Sequence, residues 1–347
     1  MRACALTRIL VGIHATTTTP TRRRGRLPAA ACCLLAALGV AGCGLIGGQS
    51  SQSATQVGSR ASVSPSASPR PSPRPSPTPS PSPTCTGIAP GFSCEMQDRI
   101  SAAQSYLAGT PGSIGIVLED RATGAVWRNV NAAAEYPAAS TMKLAMMTDI
   151  LLRAHAGQID LTSADQDEMY QALYTSDDDD ANDLWDKYED GSFLTRIRAF
   201  GMTGAEFTAS PPNWGYMYCT AEDLDNLMNY VLNDAPASVR DYLVDRLQHV
   251  SSVDQQWGVW GAGAENQPGN KDGWEWDPPD LWITNTVGFA GPGQRYTLAI
   301  MYNLEGYDGS SSPTGFDYGI NKLSQIASLL FQGHSTSQPT ALPSAVP

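Results

Sequence analysis

Serine and lysine, rather than histidine, are the residues on which a chemistry could be built here. The chain has four histidines. His14 and His334 lie in segments without a globular pattern, and His155 and His249 sit late in predicted helices beside charged neighbours. A Ser-His-Asp triad and a histidine-rich metal site are therefore disfavoured, and a nucleophile would need another base. There are four lysines, Lys143, Lys187, Lys271 and Lys322, and only Lys143 follows a serine by three residues, in Ser140-Thr141-Met142-Lys143. At a helix start that spacing sets hydroxyl and amine on one face. A deprotonated lysine can take the Ser140 proton, and the helix N-terminus favours the oxyanion that then develops. The spacing recurs on ordinary helices, so its weight comes from its surroundings. The acidic run Asp177 to Asp180 lacks the glycine and distal bidentate glutamate of a calcium loop. It reads as a solvated helix start, where acids suit the dipole. No metal and no cofactor are expected.

The charge distribution locates the domain that must position these groups. All 34 acids lie between Glu95 and Asp317, against 13 Lys and Arg from Glu95 to Gly333, which leaves that stretch at −21. A surface so acidic repels phosphate backbones and excludes nucleic-acid binding. Residues 95–333 are the size one hydrophobic core can serve.

Periodicity predicts a helix over Glu95–Ala108 and a buried strand over Ser113–Leu118, with a turn at Asp120–Gly124 and a partner strand over Ala125–Val130. Helices are predicted over Ser140–Ala156, Thr175–Glu189 and Phe193–Phe200. Thr220-Ala221-Glu222-Asp223 caps another, with Leu224, Leu227, Met228, Val231 and Leu232 on its apolar face. Strands fit Trp257–Gly261, Asn270–Trp274, Leu281–Phe289 and Arg295–Tyr302, and a last helix fits Phe316–Phe331. This order gives an α+β fold: an antiparallel sheet drawn from both chain ends, with a helical subdomain inserted between.

Ahead of the domain, Arg22, Arg23, Arg24 and Arg26 precede an apolar run from Ala29 to Val40, the pattern of an export signal too short to span a membrane. Its ending, Val40-Ala41-Gly42-Cys43, resembles the bacterial lipobox. That implies a signal peptide over 1–42, a lipidated Cys43 as the mature N-terminus, and a place on the outer face of the cell membrane; an ordinary signal peptide is the alternative. The Ser/Pro-rich spacer within 43–94 cannot bury enough apolar surface to fold, and extends about 3.1 Å per residue where Pro-rich. Residues 334–347 read as a disordered tail. Cys85 and Cys94 pair by proximity, with Cys94–Cys219 the alternative; in the first case Cys219 is a buried free thiol.

The stretch Ser113 to Lys143, with S-I-G-I-V-L-E-D-R-A-T-G and Y-P-A-A-S-T-M-K, resembles the serine β-lactamase and penicillin-binding-protein superfamily, closest to class A β-lactamases. Ser176-Asp177-Asp178 is similar to the family's Ser-Asp-Asn element, and Lys271-Asp272-Gly273 to its Lys-Thr-Gly. The resemblance implies a five-stranded antiparallel sheet with flanking helices, an inserted helical subdomain, and a site at their junction. It makes Ser140 the acylated nucleophile and Lys143 its activating base. Ser176 would carry a proton to the leaving group, Lys271 would supply positive charge, and the backbone amides of Ser140 and Trp274 would form the oxyanion hole.

Three departures bear on the substrate. Asp178 stands where the family has asparagine, and Asp272 where it has Thr or Ser, so both aspartates, with Gly273 and Trp274, would line the substrate and set its charge. The deacylating Glu has no clear counterpart, the only acid between Thr203 and Thr220 being Glu206. Trp274 and Trp276 would wall a pocket. The activity implied is hydrolysis of a β-lactam or related amide or ester, small or peptidoglycan-derived, by a monomer. Alternatives are a D-alanyl-D-alanine peptidase or esterase-like hydrolase, and a non-catalytic cell-envelope binding or sensor lipoprotein.

Overall fold

The computed structural model describes residues 85, 87–277, 281–305 and 313–332. The chain divides into two compact units, Met1–Ser76 and Pro77–Pro347, and every described residue belongs to the second. The leader, Cys43 and the tail lie outside the described residues.

Five strands form one antiparallel sheet: β1 (Ser113–Asp120), β2 (Ala125–Arg128), β6 (Gly269–Asp277), β7 (Leu281–Ala290) and β8 (Tyr296–Asn303), in the order β2-β1-β8-β7-β6. Registers such as Ile116 opposite Ile300 and Lys271 opposite Val287 fix which side chains share a face. One face packs against α1 (Cys94–Leu107) and α8 (Pro313–Phe331). There Ile100, Ala103, Phe316, Ile320, Leu323, Ala327 and Leu330 are buried, as their helical spacing requires.

The inserted half holds α2 (Met142–His155), α3 (Ser163–Tyr174), α4 (Asp178–Tyr188), α5 (Phe193–Ile197), α6 (Ala221–Asn233) and α7 (Ala237–Gln248). α2 is its centre: the nine residues from Met142 to Ile150 are all buried, polar Lys143, Thr148 and Asp149 included. A helix enclosed on all sides can hold a lysine only with dedicated partners. α6 begins in the expected capping box, Thr220 and Asp223 each bonding the other's backbone amide. Cys85 and Cys94 form a disulfide at the entry to α1, and Cys219 is a buried free thiol.

Five elements differ from the sequence reading, α7 among them, for which no range was predicted. Trp257–Gly261 is not a strand; Gly258–Ala262 forms a 3₁₀ turn wedged between the sheet and α8. A β-carbon at Gly258 would lie 2.3 Å from Thr286 Oγ1, and one at Gly261 2.1 Å from the Ser324 carbonyl, so glycine permits an approach that β-branched strand residues would forbid. α3 went unforeseen, although Thr162 and Asp165 make a capping box at its start. The predicted helix from Thr175 starts three residues later, at Asp178, because Ser176 is left-handed at φ 67°. A small second sheet, β3 (Tyr136–Pro137), β5 (Met217–Cys219) and β4 (Glu206–Phe207), had no periodic signal.

Candidate active site

Ser140 lies in the 3₁₀ turn Ala139–Thr141 that opens α2. The turn is clamped from several sides. Thr141 Oγ1 donates to the Ala138 carbonyl at 2.6 Å, and the Asn285 side-chain amide on β7 donates to the carbonyls of Pro137 and Ala138 at 2.9 and 3.2 Å. Ala139 is held at φ 48°, a left-handed conformation that costs a non-glycine residue on the order of 1–2 kcal/mol. From the other side β6 presses on the turn. A β-carbon at Gly273 would lie 2.6 Å from the Thr141 nitrogen and 2.8 Å from that of Ser140, so this position requires glycine. Gly273 thus sets the approach of strand to nucleophile, and Trp274, next along β6, lines the cleft with Ser140.

The two lysines of the motifs converge on Ser176. Lys143 Nζ donates to the Ser176 carbonyl at 2.5 Å and to its hydroxyl at 3.2 Å, and pairs with Asp178 Oδ1 at 2.6 Å. Lys271 Nζ donates to the Ser176 hydroxyl at 2.9 Å, to Gln255 Oε1 at 3.0 Å and to the Asp272 carbonyl at 2.7 Å. Both lysine side chains are fully buried. Burial pushes the Lys143 ammonium below its ordinary pKa, and the Asp178 carboxylate pulls it part of the way back. Burial, with the like charge of Lys143, holds Lys271 well below the ordinary lysine range. Amines with lowered pKa meeting on the Ser176 hydroxyl are suited to proton transfer.

Asp272 does not face the substrate as expected. Its side chain is fully buried, with no hydrogen bond of good geometry to either carboxylate oxygen but with Thr286, Asn270 and the Trp257 backbone close around it. In β6 it alternates with Lys271 and lies opposite Thr286, the residue against which Gly258 packs, so it points into the layer under the 3₁₀ turn and not into the cleft. Burial drives its carboxyl well above the usual range, with Thr286, Lys271 and Asn270 pulling the other way. The extended-strand period of two decides this: with Lys271 aimed at Ser176, its neighbour must take the other face.

The cleft has a volume of about 630 Å³ and is lined by Ser140, Asp178, Asn182, Asp186, Trp214, Tyr216, Trp274 and Glu275, among others. Glu206 does not line it. The loop between β4 and β5 contributes Trp214 instead, whose indole Nε1 donates to Asn182 Oδ1 at 3.0 Å and whose ring lies 4.6 Å from Lys143 Nζ. Trp276 stacks edge-on against Trp282, 5.4 Å between centroids, and lines an adjoining hollow with Tyr216 and Glu275. Sequence reasoning missed Gln255, Asn285, Asn182 and Trp214. Asn182 and Asn285 lie in stretches that flank the second and third motifs but carry no signal of a role, and each of the four acts through a contact between segments distant in the chain. Among the described residues no group of three or more His, Cys, Asp or Glu is placed to hold a metal ion.

The sheet order, the inserted helices and this junction together give a β-lactamase-type fold. Residues 96–198, from α1 to just beyond α5, match the profile of the Beta-lactamase enzyme family. Among solved structures, a β-lactamase from Xanthomonas campestris is similar at 16% identity and TM-score 0.56, over 69% of this chain and 98% of its own. A β-lactamase from Sphaerobacter thermophilus is similar at 17% identity and TM-score 0.51, over 67% of this chain and 95% of its own. An ancestral class A β-lactamase gives 16% and 0.54, over 69% and 100%. At such identities the likeness is one of fold. No curated protein sequence matches the chain.

Proposed function

We propose that this chain is a serine hydrolase of β-lactamase-like type that works through an acyl-enzyme on Ser140. The observation that carries the reading is the meeting of two sealed lysine amines on the Ser176 hydroxyl, with Ser140 lining the same cleft as Asp178, the partner of one of them. The Ser140 oxygen attacks the acyl carbon while its proton passes to the Lys143 amine. The carbon–nitrogen or carbon–oxygen bond of the substrate breaks, and the leaving group takes a proton through Ser176. Lys271 holds the Ser176 hydroxyl in place, and the backbone amides of Ser140 and Trp274 receive the developing oxyanion. A binding module has no use for both lysines in this arrangement, since burying each ammonium costs stability.

The domain is proposed to act outside the cell as a monomer, tethered to the membrane through lipid on Cys43 and held off it by the spacer. Its substrate is a β-lactam or a related amide or ester, such as a peptidoglycan-derived acyl compound. Intact-mass analysis after exposure to penicillin and to an acyl ester tests the reaction. A mass increase on Ser140, absent in Ser140→Ala, is expected; no adduct with either reagent would overturn it.

A further inference from the structure

The cleft offers an incoming carboxylate no cationic side chain to pair with. Among the described residues that line it there is no Lys, Arg or His. The two motif lysines beneath it are fully buried, and Lys271 spends its donors on Ser176, Gln255 and the Asp272 carbonyl. Three carboxylates line the cleft instead: Asp178, Asp186 and Glu275. On α4, Asp178, Asn182 and Asp186 follow one another at four-residue steps, so they form one stripe along the wall. Asp178 is offset by Lys143, whereas Asp186 has no ion-pair partner among the described residues. Glu275 comes from β6, and Trp214 and Tyr216 give aromatic surface in the same cleft, Tyr216 being 61% exposed, while the Trp274 ring packs against Trp257 and Phe316. Carboxylates of one sign flanking aromatic faces attract organic cations, through charge and through the ring quadrupole.

We propose that the acyl donor this site takes is cationic, with its ammonium or guanidinium group seated between Asp186, Glu275 and Tyr216 while its carbonyl lies over Ser140. The proposal rests on the hydrolase reading for its chemistry, but its charge selectivity can be measured without turnover. Asp186 and Glu275 are binding residues here, and Asp178 is shared between cation and base.

The test uses three p-nitrophenyl esters of similar length, ε-aminocaproyl (cationic), caproyl (neutral) and adipoyl (anionic), with the full described domain. In each, the bond from Ser140 oxygen to acyl carbon forms as the bond to p-nitrophenolate breaks. The serine proton passes to Lys143, and the phenolate leaves as the anion. The cationic ester is expected to acylate Ser140 about tenfold or more faster than the anionic one, and the gap to close near 1 M salt, where screening acts within about 3 Å. The double variant Asp186→Asn with Glu275→Gln should shrink the preference about tenfold, whereas Asp241→Asn, on the distant α7, should leave it in place. In parallel, the matching propylamides are titrated against Ser140→Ala, where the cationic amide should bind most tightly.

Equal acylation by all three esters, or a preference untouched by the double variant, overturns the charge assignment and leaves the nucleophile standing. If no ester labels Ser140 but the cationic amide binds Ser140→Ala selectively and loses this on Asp186→Asn, the ligand class stands and the hydrolase reading falls. Absence of both labelling and selective binding overturns both.

Discussion

Asp178→Asn is the substitution whose effect the geometry defines best. Lys143 Nζ and Asp178 Oδ1 are 2.6 Å apart, with the lysine side chain fully buried and the aspartate side chain 72% exposed. Unit charges at that distance attract by about 1.6 kcal/mol in the dielectric of water and by several times more in a desolvated site. Because most of the Asp178 side chain is in solvent, the lower figure applies. Asparagine keeps an oxygen to accept the lysine proton and removes only the charge. The pull that raises the Lys143 pKa is lost, burial prevails, and the neutral amine becomes about tenfold more abundant wherever the wild-type lysine is still mostly protonated. Single-turnover acylation of Ser140 by a neutral chromogenic ester, followed against pH, reads this directly. Its acid limb should move to lower pH, with rates there up about tenfold and the high-pH plateau little changed. Asp272→Asn is the control: it alters a buried group outside the cleft and should not move the limb comparably. An unmoved limb in Asp178→Asn, with Ser140→Ala still blocking labelling, would refute the view that this ion pair sets the base.

Other outcomes follow from the same structure. With Trp214 over Lys143 and Asn182 and no loop carboxylate lining the cleft, an acyl-Ser140 adduct should persist, so intact mass should detect it long after mixing with penicillin; rapid steady-state turnover of a chromogenic cephalosporin without any adduct would contradict this. Asp225, buried under Thr297 with its carboxyl pushed up to about 7, binds its proton more tightly folded than unfolded. Its contribution is therefore full below the unfolded carboxylate value and is lost as pH rises through about 7, and Asp225→Asn should flatten the thermal midpoint over that window. Cys43→Ala should abolish partitioning into detergent and move the protein out of the membrane fraction; continued membrane association would remove the lipid tether. Deleting residues 44–84 should leave the thermal midpoint within a few degrees of wild type, and a larger fall would mean that the spacer packs on the domain.

How far the sequence could be read depended on whether a residue's partners are local. The helix faces of α1, α6 and α8 were legible because each is an apolar stripe at the helical period, and Thr220 with Asp223 signalled a cap within four residues. Ser140, Lys143, Ser176 and Lys271 were legible as motifs in a familiar order, and the structure brings their elements to one junction. Asp272 was misplaced because motif position was allowed to override strand alternation, which sends consecutive side chains to opposite faces. Gln255 and Asn285 could not be found from sequence alone. Each is an ordinary amide until a strand or turn far away in the chain presents carbonyls and amines to it. Trp257–Gly261 looked like a strand because its residues are apolar, yet the contacts of Gly258 and Gly261 are tertiary.

The position of β1 in the sheet governs the order in which this chain can assemble. β1 pairs with β2 immediately, but its other neighbour is β8, with Ser113 facing Asn303. As the polypeptide, proposed to be exported, emerges N-terminus first, the helical half is complete at Gln248, well before β8 arrives. During that interval the hairpin β1–β2 presents an apolar edge, Ile114, Ile116 and Leu118, with unpaired amides and carbonyls. Such an edge is a template for pairing with other chains, and long-range closure of this kind is slow. The interval before β8 arrives is therefore when this protein is most prone to aggregate. A chaperone that binds extended apolar segments would be most useful to it then, and a circular permutant joining α8 to α1 and opening between α7 and β6 would shorten that wait.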